Sequence, residues 1–179
     1  VALFSVYFWH SLFSLGTLAV LYKMLKDFIS LRAARIGSAV LLTSLMFFYQ
    51  SASPMLDIPM IFFLTVSHFF LIKFIKVKES KYLYLNALFC NLNFLTKGLM
   101  GAALPPITFA LYLIFTKKNP LQEYPGFIKT AGIATLVFLA VVSLWIVPQL
   151  VKYGSAFGEQ LYKENIVRFF KPIDVTGGY

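Results

Sequence analysis

The sequence predicts an all-α protein, a polytopic bundle of about six transmembrane helices. Of its 179 residues, 59% are hydrophobic and only 13% are charged, whereas a soluble domain carries about 25% charged residues. The apolar residues form long runs, most near the roughly 18–20 residues that cross about 30 Å of hydrocarbon. The basic residues lie in short clusters between these runs, a pattern typical of loops that connect membrane spans. A soluble fold is therefore excluded.

Six apolar runs define the predicted spans, at residues 3–22, 36–50, 58–75, 82–96, 99–116 and 130–150. Residues 7–9 and 47–49 are aromatic clusters of the kind found at membrane interfaces. The fourth run contains Asn86, Asn91 and Asn93, so one of its faces is expected to pack against protein or a cavity. Residues 1–150 thus form the predicted transmembrane region.

The remaining features of the predicted topology lie after the fourth run. Pro105 and Pro106 are expected to kink or to start the fifth helix, because proline cannot donate a backbone hydrogen bond within it. Residues 151–179 are polar enough to form a loop or an interfacial helix outside the membrane.

The basic connectors predict the orientation of the chain. Those after the first, third and fifth runs hold four, four and three Lys or Arg residues, and the positive-inside rule places them in the cytoplasm. Val1, Asp57, Lys97 and residues 151–179 then lie on the non-cytoplasmic side. Since the net charge of +9 comes largely from these loops, nucleic acid is not an expected partner.

Cys90 and the two histidines suggest structural roles. A single cysteine rules out an intrachain disulfide and a cysteine-based metal cluster. His10 and His68 lie within apolar runs and have no partner at ligand spacing, so we expect buried, hydrogen-bonded side chains rather than a metal site.

Because hydrophobic sequence begins at Val1 and no cleavage-site pattern follows, we expect a piece of a longer protein rather than a signal peptide.

Asp57 and Lys97 interrupt otherwise apolar sequence. A cation costs about 2.5–3.5 kcal/mol at mid-bilayer and less near an interface, and a lipid phosphate bound to Lys97 would offset that cost. Alternatively, Lys97 extends from a helix end towards the headgroups. Asp57, followed by Pro59, either caps the third helix or binds a cation or a polar substrate group. Glu164 and Arg168, four residues apart, would share one helix face.

Four short motifs follow one another along the chain: RAARIG at 32–37, SPMLDIP at 53–59, LTKG at 95–98 with Pro105, and ENIVRF at 164–169. In this order they resemble the polyprenyl-phosphate-sugar glycosyltransferases, which have the GT-C membrane fold. Lipid A aminoarabinose transferases and dolichyl-phosphate-mannose protein mannosyltransferases belong to that family. The resemblance extends from about residue 3 to residue 170.

The resemblance implies an enzyme that moves a sugar from a polyprenyl-phosphate carrier to lipid A, another glycolipid or a protein. It implies that Lys97 helps to bind the carrier phosphate and that Asp57 lines the same cavity. It further implies that Glu164, Asn165 and Arg168 lie on a loop helix over that cavity. The expected location is the bacterial inner (plasma) membrane, with transfer at its non-cytoplasmic face and membrane lipids as neighbours.

Two questions stay open at this point. The family's catalytic acid is expected before Val1, so no catalytic residue is expected in this chain. The chain should therefore be inactive alone. A divalent cation is a possible cofactor. The rival interpretation is a transporter or lipid flippase, with Lys97 and the fourth run lining its path. The lack of an internal repeat and the collection of charges at one face favour the enzyme.

Overall fold

The structure is a computed structural model that describes residues 2–53, 55–124, 126–163 and 167. The regular secondary structure of these residues is entirely helical, which confirms the predicted all-α class. Their helices are α1 (Ala2–Phe28), α2 (Leu31–Thr43), α3 (Leu45–Ser51), α4 (Asp57–Val77), α5 (Ser80–Lys97), α6 (Leu99–Thr116), α7 (Pro120–Glu123) and α8 (Phe127–Tyr162).

Two predicted spans differ in shape from a single straight helix. The second run is divided into α2 and α3, which meet at an angle of 65°. Ser44 between them has an extended backbone, and the Thr43 hydroxyl donates to the Ala39 carbonyl (2.9 Å), a contact that often bends helices. The sixth run continues to Tyr162, but Gly154 (φ 58°, ψ −142°) leaves helical geometry and divides α8.

By length and composition, α4 and α8 are suited to cross a membrane among the residues described, and the bent α2–α3 pair would make a third crossing. The apolar stretch Gly101–Thr116 of α6 is shorter than these helices. A membrane protein is thus supported by its helices, while the span count of six stays a prediction.

The centre of the bundle is the packing of α4 against α5, which includes buried polar side chains. The Asn86 amide donates to the Ser67 carbonyl (3.0 Å) and hydroxyl oxygens (2.7 Å), and Cys90 Sγ lies 3.2 Å from the same hydroxyl. Asn91 and Asn93 are buried as well. The prediction that the asparagine face of the fourth run packs against protein is confirmed, because all three side chains are buried and Asn86 bonds to α4.

The three basic connectors meet at one end of the bundle. Lys76 Nζ donates to the Phe28 carbonyl oxygen (3.3 Å), which joins the ends of α1 and α4. Lys78 Nζ pairs with the Glu123 carboxylate in α7 (2.7 Å). The Thr130 hydroxyl in α8 donates to the Ser80 hydroxyl at the start of α5 (2.9 Å). The turns that carry Asp57 and Lys97 therefore lie at the opposite end.

Candidate functional site

The structure brings together the two charged residues that the sequence singled out. Asp57 is the first residue of α4, and Lys97 is the last residue of α5. Lys97 Nζ donates a hydrogen bond to Asp57 Oδ1 within an ion pair. The side chains are 40% (Lys97) and 21% (Asp57) exposed. An ammonium and a carboxylate are thus accessible from outside at this end of the bundle.

Helix geometry favours both charges where they lie. The Asp57 carboxylate lies in the first turn of α4, at the positive end of the helix dipole. The Lys97 ammonium lies in the last turn of α5, at the negative end of that helix dipole. Pro59 lies in that same first turn, where its missing N–H costs no helical hydrogen bond. Leu56, not Asp57, holds the N-cap position, so the capping interpretation of Asp57 is replaced by a first-turn carboxylate paired with Lys97.

Gly98 alone separates α5 from α6. Its backbone (φ 69°, ψ −151°) lies in a region that is open essentially to glycine, and its N–H donates to the Phe94 carbonyl (2.7 Å). The reversal of the chain within one residue determines where Lys97, the residue before it, is held.

We expect Gly98→Ala to lower the free energy of unfolding by about 1–3 kcal/mol, because a Cβ is strained in this conformation. Thermal unfolding of the detergent-solubilised complete protein measures the effect. Gly132→Ala in α8 is the matched control, since its added Cβ meets no atom within 4 Å and alanine favours a helix interior. Equal unfolding temperatures for Gly98→Ala and the parent protein would contradict the described turn.

The buried side chain of Asn93 supports the turn at Gly98. Pro105 lacks the N–H that would bond the Gly101 carbonyl four residues earlier, and the Asn93 amide donates to that carbonyl instead (2.8 Å). Asn93 Oδ1 accepts a hydrogen bond from the Thr96 hydroxyl (3.2 Å). A Cβ on Gly101 would lie 2.7 Å from Asn93 Oδ1, so glycine permits this approach. The LTKG and proline motifs therefore form one structural unit that holds Lys97.

Pro105 and Pro106 were expected to kink or start the fifth helix. They do not start it, because α6 begins at Leu99 and includes both prolines; a kink at this point stays a prediction. The helix accommodates Pro105 because a side chain from the neighbouring helix supplies the missing donor.

α1 holds the turn that bears Asp57. His10 Nε2 lies 2.8 Å from the Met55 carbonyl oxygen, and the Ser14 hydroxyl donates to the Ser51 hydroxyl (2.9 Å). His10 and Ser14 are both buried. The expectation of a buried, hydrogen-bonded His10 is confirmed. The sequence did not predict its contact with the Met55 carbonyl, because the two residues are 45 positions apart.

His68 is also hydrogen-bonded, but only half-buried. Its Nδ1 lies 2.9 Å from the Leu64 carbonyl oxygen and its Nε2 3.1 Å from the Thr108 hydroxyl oxygen. Among the residues that the structure describes, no three His, Cys, Asp or Glu side chains come together as a metal site would need.

Aromatic contacts bring the end of α8 towards the same region. Phe94, one turn before Lys97, contacts Phe138 (5.6 Å between ring centroids) and Trp145 (6.5 Å). Trp145 in turn contacts Phe157 beyond the break at Gly154 (5.8 Å). The other predicted site residues, Glu164, Asn165 and Arg168, lie outside the described residues.

A cavity of about 270 Å³ lies between α5, α6 and α8. Its wall is mainly apolar and includes Asn86, Cys90, Pro105, Phe109 and Phe138. Neither Asp57 nor Lys97 lines it. The ion pair is therefore a surface feature of the helix ends, separate from the interior space.

A protein-family model described as dolichyl-phosphate-mannose-protein mannosyltransferase matches residues 1–146. The matched range includes Asp57, Lys97 and both prolines of α6, and it ends before residues 164–168. No curated protein and no solved structure matches the chain.

Proposed function

The chain belongs to the dolichyl-phosphate-mannose-protein mannosyltransferase family of membrane glycosyltransferases, and we propose that it uses a polyprenyl-phosphate-linked sugar as donor. In this proposal Lys97 binds the donor phosphate and Asp57 positions Lys97. The acceptor is a lipid or a protein. The observation that carries the proposal is the exposed Asp57–Lys97 pair at the helix ends.

The ammonium of Lys97 has the donors that a phosphate requires. It carries three N–H groups, and the Asp57 carboxylate accepts from one of them. The partly exposed side chain leaves the ammonium reachable by a ligand. At about 4 Å and an effective dielectric constant of 20, an ammonium–phosphate pair is worth roughly 4 kcal/mol before desolvation, enough to contribute to donor binding.

The chemistry is a displacement at the anomeric carbon. The acceptor oxygen forms the new bond to this carbon while the bond to the phosphate oxygen breaks, and its electron pair leaves with the lipid phosphate. The acceptor proton passes to a general base. Negative charge grows on the departing phosphate, and a cation held beside it stabilises the transition state more than the ground state. Lys97 takes that role.

We place the reaction at the non-cytoplasmic face of a bacterial inner membrane. Support comes from the basic connectors, which meet at the end opposite to Asp57 and Lys97 and which the positive-inside rule assigns to the cytoplasm. Glu164, Asn165 and Arg168 follow α8 in the chain, and we assign them to the substrate-binding surface. The Trp145–Phe157 contact, which carries α8 back towards α5, supports this assignment.

The direct test is the lipid that copurifies with the complete protein. We expect mass spectrometry of the parent protein to detect a polyprenyl-phosphate sugar, and Lys97→Ala to lose most of it. If the parent protein retains only bulk phospholipid while transfer activity is present, the proposed donor is wrong.

We expect Asp57→Asn to reduce sugar transfer by about 10–100-fold, because Lys97 is then no longer held in position, and a misplacement of about 1 Å can cost about 100-fold in rate. Stability should change by less than about 1 kcal/mol, as for other exposed pairs. Transfer of radiolabelled sugar into acceptor is the measurement. Asp27→Asn, which breaks the exposed Lys23–Asp27 pair (3.3 Å), is the control. Loss of thermal stability with unchanged transfer would show a structural role for Asp57.

A further inference from the structure

Ammonium groups lie against aromatic rings at the bundle end opposite to the Asp57–Lys97 pair. Lys76 Nζ lies 4.8 Å from the centre of the Phe28 ring, which contacts Phe69 (5.7 Å). Lys73 Nζ lies 4.9 Å from Phe69 and 5.4 Å from Tyr82. The Tyr82 ring is also 5.0 Å from Lys81. The resulting cation–aromatic row consists of Lys76, Phe28, Phe69, Lys73, Tyr82 and Lys81.

Lys73 and Lys76 differ from neighbouring lysines in their partners. Lys78 pairs with Glu123 (2.7 Å) and holds the pKa of that carboxyl below its usual value through this hydrogen bond. Lys81 pairs with Glu79. Within the described part of the chain, neither Lys73 nor Lys76 forms an ion pair with a carboxylate. Their charges are held by ring faces and, for Lys76, by one backbone carbonyl.

Lys73 and Lys76 lie three positions apart on α4, and such positions are neighbours on a helix surface. Their ring contacts join into one row, because the Phe28 ring beside Lys76 contacts the Phe69 ring beside Lys73. Val77 ends this helix, which places both lysines within its last two turns, about 6 Å or less from the end along the axis. That depth is where headgroups meet hydrocarbon for a helix that crosses the membrane.

We propose that the cation–aromatic row binds the headgroup of an anionic phospholipid. The phosphate accepts hydrogen bonds from Lys73 and Lys76, and the adjoining glycerol and acyl region lies against the aromatic rings. Basic pockets between transmembrane helices are suited to such headgroups, and rings favour the membrane interface. A soluble phosphate would gain nothing from the rings. This site is independent of the proposed sugar donor, because it lies at the other end of the bundle.

The test is native mass spectrometry of the complete protein in detergent, titrated with phosphatidylglycerol or with zwitterionic phosphatidylcholine. We expect phosphatidylglycerol to bind about tenfold more tightly, and Lys73→Gln/Lys76→Gln to abolish this preference. Lys73→Arg/Lys76→Arg keeps both charges and should retain it. This second variant also shows that the site tolerates substitution without unfolding.

The matched control removes the same charge at the same end of the bundle. Lys117 and Lys129 are exposed and neither contacts an aromatic ring in the described chain, so Lys117→Gln/Lys129→Gln should keep the lipid preference. An equal loss in this control would mean that bulk charge alone attracts the lipid, and would overturn the site. Displacement of phosphatidylglycerol by inorganic phosphate at similar concentration would also overturn it, in favour of a free-anion site.

Discussion

Replacing Lys97 by alanine in the complete protein is expected to lower sugar transfer by about 100-fold or more. Removal of one preorganised donor from a site of developing negative charge commonly has an effect of that size. The loss should fall on both constants: KM for the donor rises because Lys97 binds the phosphate in the ground state, and kcat falls because the charge on the departing phosphate is greatest in the transition state. Initial rates measured across a range of donor concentrations separate the two effects.

The fold should survive this substitution, since the pair is exposed and such pairs contribute at most about 1 kcal/mol to stability. Lys97→Arg keeps the charge and should retain part of the activity. Lys152→Ala in α8 removes an exposed lysine whose ammonium lies over Tyr153 (4.9 Å), and should leave transfer unchanged. Parent-like rates for Lys97→Ala at both limiting and saturating donor would end the assignment of Lys97.

Asn93→Leu is expected to have the largest effect on stability, about 3 kcal/mol. The substitution leaves the Gly101 carbonyl without its donor in a buried position, and an unsatisfied buried group of this kind costs about 1–3 kcal/mol. Leucine must also fit where glycine now allows close approach. Transfer should fall as well, because a shift of about 1 Å in the turn that holds Lys97 is enough to misplace a binding group.

Two further variants distinguish this explanation from a general intolerance of leucine. Asn91 is buried too, but its amide donates only within its own helix, to Ala87, and its carbonyl oxygen has no partner; Asn91→Leu should be nearly neutral. Pro105→Ala restores an N–H opposite Gly101, so Asn93→Leu/Pro105→Ala should recover part of the lost unfolding temperature. Purely additive losses in this double variant would refute the proposed exchange of donors.

The Asp57–Lys97 pair and the Asn93 contact together explain how a lysine and an aspartate are accommodated at the ends of apolar helices. The ion pair offsets the cost of each charge near hydrocarbon, and the hydrogen bonds below it hold the turn in one conformation. In the proposed function, donor binding exchanges part of the ion pair for contacts between Lys97 and the phosphate.

Local properties of the chain were enough to predict the helical class and the positions of most helices. Apolar run length and the placement of lysine and arginine are readable residue by residue, because hydrocarbon thickness and charge asymmetry act on each segment separately. The same rules predicted that Asp57 and Lys97 share one side. They also indicated that the asparagine face of α5 packs inward.

Tertiary structure alone decided which groups meet. Asp57 and Lys97 are 40 residues apart, and the contact between them depends on α4 and α5 packing with their ends in register. The donation from Asn93 to Gly101, which keeps α6 helical through Pro105, likewise depends on the turn at Gly98. Hydrophobic patterning gives each helix a buried face but no partner or register; those follow only from the packing of side chains across helices.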